Sequence, residues 1–412
     1  MTLSRTATFW IVVTAYLTLM ISASTPSPLY VVYQAEWHFP TSTLTVVFGV
    51  YAVALLVSLL TVGGLSDYIG RRRVLIGALA LLTAAMIVFA EADGLAWLYV
   101  ARIMQGLAAG ASIGTLSAGI VSLAPTGRER LAGLLNALIP SIGLGLGALI
   151  AGAFAQYAPN PTVLVFVVVG AALAVLVIMF AFAHESDERR DGALASLVPR
   201  VRVSAPVRRS FLRATPSLFA PWAQMGLTLS LLVSLTAAQF GIRNHFESGL
   251  IVVIVCLAGT LSGFALRDVS PARSNSLGAI GLIVGIGVTL TGLHVGSLAV
   301  FVLGSALGGL GLGASMSGSI RTVSVLPAAH ERGEFFAAVY VVGYLAFSIP
   351  AVIAGFAAVH FGLLHVAYVY GAGVVLLALA VLALSESTPA PVVEPAAAEP
   401  DAAEPELVGC RT

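Results

Sequence analysis

The stretch GGLSDYIGRRRVL, Gly63 to Leu75, gathers one aspartate and three arginines into seven residues of a 412-residue chain in which charged residues make up 9%. Apolar runs flank it, Thr43 to Leu65 before and Val74 to Glu91 after. Each is long enough to cross a hydrocarbon core of about 30 Å as a helix of about 20 residues. The charges therefore mark a turn between two membrane spans.

The same reading extends outward. With 58% hydrophobic residues the chain lies far from the composition of soluble domains. Further runs lie near Thr8 to Tyr33, Trp97 to Leu123, Leu131 to Tyr157 and Val163 to Ala183. A second set follows near Ser217 to Phe240, Gly249 to Leu266, Leu277 to Leu293, Ala299 to Val323, Phe335 to Val359 and Leu364 to Leu384. Backbone polar groups in lipid must be satisfied within each span, so the expected fold is an all-α membrane protein of twelve transmembrane helices. Residues 1–184 form an expected first six-helix bundle, 185–216 a cytoplasmic linker, 217–384 a second bundle and 385–412 an acidic, disordered tail.

The chain has no lysine, so arginine alone reports orientation. With both termini inside, the inner face collects Arg5, Arg71, Arg72, Arg73, Arg128, Arg130, the interval Arg189 to Arg213, Arg267, Arg273, Arg321 and Arg332, while the outer loops hold Arg243. A cleaved leader ending near Ser24 would leave eleven spans and break this alternation, so a retained first helix is expected. Trp37 and Trp97 fall near the outer boundary, Trp10 and Trp222 near the inner one, as interfacial anchors would.

The two sets of six repeat one another. Gly106 to Ser112 reads GLAAGAS and Gly309 to Ser315 reads GLGLGAS; Pro125 precedes Arg128-Glu129-Arg130 as Pro327 precedes His330-Glu331-Arg332; Ile150-Ala151-Gly152 recurs as Ile353-Ala354-Gly355. The offsets are nearly equal, which makes the halves parallel repeats able to rock about a central site.

These residues resemble the major facilitator superfamily over nearly the whole chain. The opening stretch is similar to the family signature G-x-L-a-D-r-x-G-r-R/K through Gly63, Leu65, Asp67, Gly70, Arg71 and Arg72, with Tyr68 in place of a basic residue. A carboxylate at a helix carboxyl end sits unfavourably in the macrodipole and needs positive compensation. Arg71 supplies part of it, and the resemblance implies another part from the start of span eleven near Gly333 and Phe335. Asp67 would then latch the inner mouth in the outward-open state, with Gly63, Gly70, Arg71 and Arg72 completing the gate. Arg102-Ile103-Met104-Gln105-Gly106 resembles the family's R-x-x-Q-G motif. An intramembrane cation costs about 3 kcal/mol on insertion scales, so Arg102, with Gln105 and Gly106, is a candidate coupling element, against snorkelling to the nearby outer boundary.

In span five, Gly143, Gly147 and Gly152 resemble an antiporter motif that departs from the family pattern at Ala148 and Ala151. Their direct reading, shared by Gly309 and Gly313 in span ten, is close helix packing. Analogy with the family puts a substrate site on spans one, four, five, seven, eight, ten and eleven, with Tyr16, Ser22, Asn136, Gln224, Gln239, Tyr340 and Tyr344 as cavity candidates and Tyr51 beside them; each reads equally well as an interhelical hydrogen-bonding group.

No span carries a carboxylate away from its ends, and no nucleophile–base pair, phosphate loop or metal cluster is visible. No cofactor, no metal and no nucleic acid is expected. The expectation is not an enzyme but a secondary transporter working by alternating access, an efflux antiporter moving small hydrophobic compounds against protons. Uptake or facilitated diffusion of a neutral metabolite is the alternative, and a non-transporting receptor or scaffold the alternative of another class. The expected partners are a small-molecule substrate, protons and the lipid bilayer of the plasma membrane, with the functional unit a monomer and both termini cytoplasmic.

Overall fold

The computed structural model describes residues 4–183, 192–242, 244–328 and 331–385. Arg243, His330 and most of the expected tail, with its Cys410, lie outside the described residues.

The first half contains α1 (Arg5–Ser24), α2 (Pro26–Trp37), α3 (Thr41–Val62), α4 (Ser66–Ile69), α5 (Arg71–Ala90), α6 (Leu95–Ser122), α7 (Glu129–Tyr157) and α8 (Pro161–Ala181). The second contains α9 (Ala205–Ser230), α10 (Leu232–Phe240), α11 (His245–Ala265), α12 (Pro271–Val295), α13 (Leu298–Ser324), α14 (Arg332–Phe361) and α15 (Leu363–Ser385). Among the described residues eleven helices are long and apolar enough to cross a membrane, counting Arg5–Trp37 as one, and the bent pair α9 and α10, taken as one span, makes twelve. The expected all-α membrane fold of twelve spans is what the structure shows, and no strand occurs among the described residues.

Both first spans are interrupted. Pro26 has no N–H to offer the Ser22 carbonyl one turn back, and Thr25 separates α1 from α2. In the second half the chain bends by 54° at Leu231, between α9 and α10. Neither break was anticipated, because hydropathy registers a bent span and a straight one alike.

The polar interval is shorter than expected. Helix α9 starts at Ala205 rather than near Ser217, with Pro206 in its first turn. Arginine density masks an apolar stripe at Val207, Phe211, Ala214 and Leu218, which packs against Val323, Phe335 and Val339 at the ends of α13 and α14. A 3-10 turn at Ala195–Leu197 runs beside α3. The earlier start also takes Trp222 deeper than the boundary position expected of it.

Each half has its own apolar core, and the second core takes in Phe48, Ala52 and Ala148 from the first half. The halves meet along two helix pairs. Between α3 and α14, Phe48 lies 4.8 Å from Phe347, and Gly355 fits against Thr45. Between α7 and α11, Gly152 fits against the His245 carbonyl and Gly249 against that of Ala148. All these contacts lie toward the helix ends remote from the arginine-rich loops. The bundle is closed at that end.

Candidate functional site

Toward the arginine-bearing end the halves separate around a cavity of about 660 Å³. It runs from Met20 and Leu229, midway along their spans, to Arg267 and Arg321 at the helix ends. One wall is aromatic. Trp222 of α9 meets Tyr344 of α14 edge to face, with centroids 4.9 Å apart, and Tyr340 lies 6.4 Å from Tyr344. Tyr16, Phe48 and Tyr51 of the first half face the same space. The polar lining is hydroxyl and amide, including Ser117, Asn136, Ser141 and Thr260. Asn136 Nδ2 donates to Ser117 Oγ at 2.9 Å. Among the described lining residues none is acidic. The two arginines at the mouth are committed: Arg321 donates to the carbonyls of Leu266 (3.3 Å) and Val269 (2.6 Å), and Arg267 pairs with Asp268 at 3.2 Å and lies over the Phe264 ring.

Of the seven cavity candidates, Tyr16, Asn136, Tyr340 and Tyr344 line this space, as does Tyr51. Three do not. Ser22 is buried and returns its hydroxyl to the Leu19 carbonyl at 2.7 Å. Gln224 lines a separate void of about 40 Å³ inside the second half. Gln239 Nε2 donates to the Leu293 carbonyl at 3.1 Å and ties α10 to α12. Trp222, Phe48, Phe347, Ser117 and Thr260 were missed. Trp222, Met225 and Leu229 recur at helical spacing, as do Tyr340, Tyr344 and Phe347, so one-face periodicity on α9 and α14 could have found Trp222 and Phe347.

Arg102 is 1% exposed, which rejects snorkelling. Its Nε donates to Tyr30 Oη at 2.5 Å, and Nη1 donates to Gln105 Oε1 at 2.6 Å and to the Ala23 carbonyl at 3.2 Å. Gln105 Nε2 in turn donates to the Ser22 carbonyl at 2.7 Å. Pro26 explains this last bond, since it frees that carbonyl from the helix ladder and Gln105 satisfies it. The contribution of Ser22 is thus its main chain. The guanidinium lies between the rings of Tyr30 and Tyr51, 5.2 and 5.3 Å from their centroids, and Tyr51 also faces the cavity. No carboxylate pairs with it among the described residues, and Nη2 has no partner.

At the opening stretch, Gly70 adopts φ +92, a conformation suited to glycine, and turns the chain from α4 into α5. Asp67 is exposed, and its carboxylate has no hydrogen-bond or ion-pair partner among the described residues. Arg71 Nη1 donates to Ser122 Oγ at 2.7 Å and Arg72 Nη2 to the Ala181 carbonyl, while Gly63 follows the last turn of α3. The glycines singled out for packing lie at close crossings. Gly143 and Gly147 meet α1, Gly152 meets α11 across the interface, Gly309 and Gly313 meet α11 within the second half, and Gly106 meets the Tyr51 carbonyl.

Relatives share this architecture. Over 163 residues the chain is 31% identical to the uridine/deoxyuridine transporter of Lactococcus lactis subsp. cremoris (strain MG1363), a match covering 39% of this chain and 33% of that one. The match thus spans about a third of that relative's length. Among solved structures it resembles a POT family transporter in complex with 5-aminolevulinic acid (TM-score 0.75, 12% identity, 92% and 96% of the two chains). It also resembles a point mutant of the nucleoside transporter NupG (0.70, 12%, 92% and 99%). A bacterial homolog of the human lysosomal transporter Spinster, inward-facing and unoccupied, matches as well (0.75, 12%, 94% and 99%). At such identity these structures speak for the fold. The model of the Major Facilitator Superfamily matches residues 12–277, well over half of the sequence, and the chain belongs to that superfamily of membrane transporters.

Proposed function

We propose that the chain takes up a small uncharged solute with a planar ring, of the nucleoside class, by alternating access. The observation that carries this reading is the aromatic wall of Trp222, Tyr340 and Tyr344 facing hydroxyl and amide groups in a cavity whose described lining has no acidic residue. Such a wall favours stacking, which is worth about 1–3 kcal/mol per base where aromatic side chains receive nucleobases. A cationic cargo would find no counter-charge there. The partial likeness to a uridine/deoxyuridine transporter supports the same class of cargo.

The arginine-rich face is read as cytoplasmic under the positive-inside rule, in the plasma membrane and with the protein as a monomer. The cavity is then inward-open. Asp67, whose carboxylate has no partner among the described residues, fits this state, since the latch to the start of α14 is needed only when the inner mouth is shut. The Arg102 network, one ring behind the cavity, is the candidate link to a coupling proton.

Proton-driven export of hydrophobic compounds remains the second reading, favoured by Met20, Leu144, Met225, Leu312 and Met316 in the lining. Proteoliposome flux separates the two. Labelled uridine should accumulate and be competed by other nucleosides. Absence of uridine flux, together with proton-dependent loss of an apolar dye, would replace the first reading by the second.

A further inference from the structure

Between residues 192 and 213 the chain carries five arginines, Arg200, Arg202, Arg208, Arg209 and Arg213, and no acidic residue. All five are exposed, and among the described residues none of their side chains has a hydrogen-bond or ion-pair partner. Among the described residues, two glutamates at the start of α14 touch this segment. Glu331 accepts from Ser204 Oγ at 2.9 Å, and the Glu334 main-chain carbonyl accepts from the Arg202 N–H at 3.3 Å. One face of early α9 is used by Val207, Phe211 and Ala214. The other presents Arg208, Arg209 and Arg213 around Leu212, which is 62% exposed.

What lies next to this face follows from helix register. Helices α9 and α15 run antiparallel, and Tyr370 Oη donates to the Ala223 carbonyl at 2.7 Å. Fifteen residues on from Tyr370 is Ser385, and fifteen back from Ala223 is Arg208. At an equal rise of about 1.5 Å per residue the end of α15 is level with the arginines. The following segment, 386–412, carries Glu386, Glu394, Glu399, Asp401, Glu404 and Glu406 against one arginine, Arg411, a net of −5 by sequence where 192–213 has +5.

We propose that the acidic segment 386–412 docks on the outward arginine face of 200–213 in the same chain. A tethered segment of this length acts at an effective concentration in the millimolar range, which makes several exposed charge pairs sufficient together although each alone is weak. Anionic lipid headgroups have the same charge, but they lack this tether. Because 192–213 touches α3 through Ala195–Leu197 and the second half through Phe211, docking would restrain the strap that joins the halves.

The chain carries its own reporter, since Cys256 is buried and Cys410 lies within the acidic segment. In the full chain, in nanodiscs of phosphatidylcholine, Ser210→Cys should form an intramolecular disulfide with Cys410 on copper–phenanthroline oxidation. The rate should drop about tenfold on raising the salt to about 0.5 M, where the Debye length is only a few ångströms, and by a similar factor when the six acidic residues are changed to Gln or Asn. Thr126→Cys, on the same end of the first half, gives the background rate. A Ser210→Cys rate no higher than this background, or one indifferent to salt and to the acidic residues, overturns the proposal. So does loss of the cross-link in nanodiscs with about a third phosphatidylglycerol, because the arginine face then belongs to lipid.

Discussion

The two halves share a scaffold and fill equivalent positions in opposite ways. Gly106 and Gly309 are 203 residues apart, as are the starts of α6 and α13, so Arg102 corresponds to Ser305 and Gln105 to Gly308. Where the first half buries a guanidinium inside a cradle of Tyr30, Gln105 and main-chain carbonyls, the second has a serine bonded to its own helix at Phe301. It also has glycines that let α13 lie backbone to backbone on α12, Gly308 on Gly285 and Gly311 on Gly281. A buried cation demands partners and therefore space, whereas a seam of glycines removes side chains altogether. The first half thus holds the charge and the gate signature. The second supplies the aromatic wall and a tightly closed helix pair.

The largest effect that would break this contrast is expected at Arg102. Arg102→Ala leaves the Gln105 amide oxygen and the Ala23 carbonyl buried without their donor, at about 1–3 kcal/mol each. Transport in proteoliposomes should fall at least tenfold with a lowered Tm, while Ser305→Ala at the equivalent position stays within twofold. Equal losses at the two sites would erase the distinction.

The glycine seam comes next. Gly285→Val places a side chain against the Gly308 backbone and should lower Tm by several degrees through overpacking of about 1–3 kcal/mol. Gly77→Val in α5, where a Cβ meets nothing within 4 Å, should leave Tm nearly unchanged. Thermal unfolding in detergent of the two variants side by side checks this.

A further step down lies the aromatic wall. Trp222→Ala should weaken binding of a ring-bearing solute about tenfold, the value of one stacking contact, with Tm little altered. Calorimetric titration with uridine reads it. The smallest effect concerns the gate. Asp67→Asn should leave affinity within about threefold and shift the population toward the state open at the arginine end, seen as slower thiol labelling at the opposite end. Unchanged labelling would leave Asp67 a topology residue only.

Much of this was legible in the sequence. Apolar runs anticipated every span, because hydropathy is a local property. Arg102 was legible as a cost that had to be met by partners, but Tyr30 and the Ser22 carbonyl were not. Their roles depend on how Pro26 frees a carbonyl one turn back and on which helix then faces it. Gln224 and Trp222 are two positions apart yet line different spaces, a rotational fact set by the packing of α9. The start of α9 was hidden because its arginines lie on one face and its apolar stripe on another, and composition averages the two. Asp67 was identified by spacing alone, and its carboxylate has no partner among the described residues.

The account depends most on the halves rocking about the shared cavity. Spin labels at Asp93 and Val295, at the closed end, and at Thr126 and Asp268, at the arginine end, would report both mouths in a chain with Cys256 and Cys410 replaced. On adding substrate, the distance at the closed end should lengthen in a fraction of molecules while that at the arginine end shortens in the same fraction. Two distances that stay fixed, or that lengthen together, would contradict it.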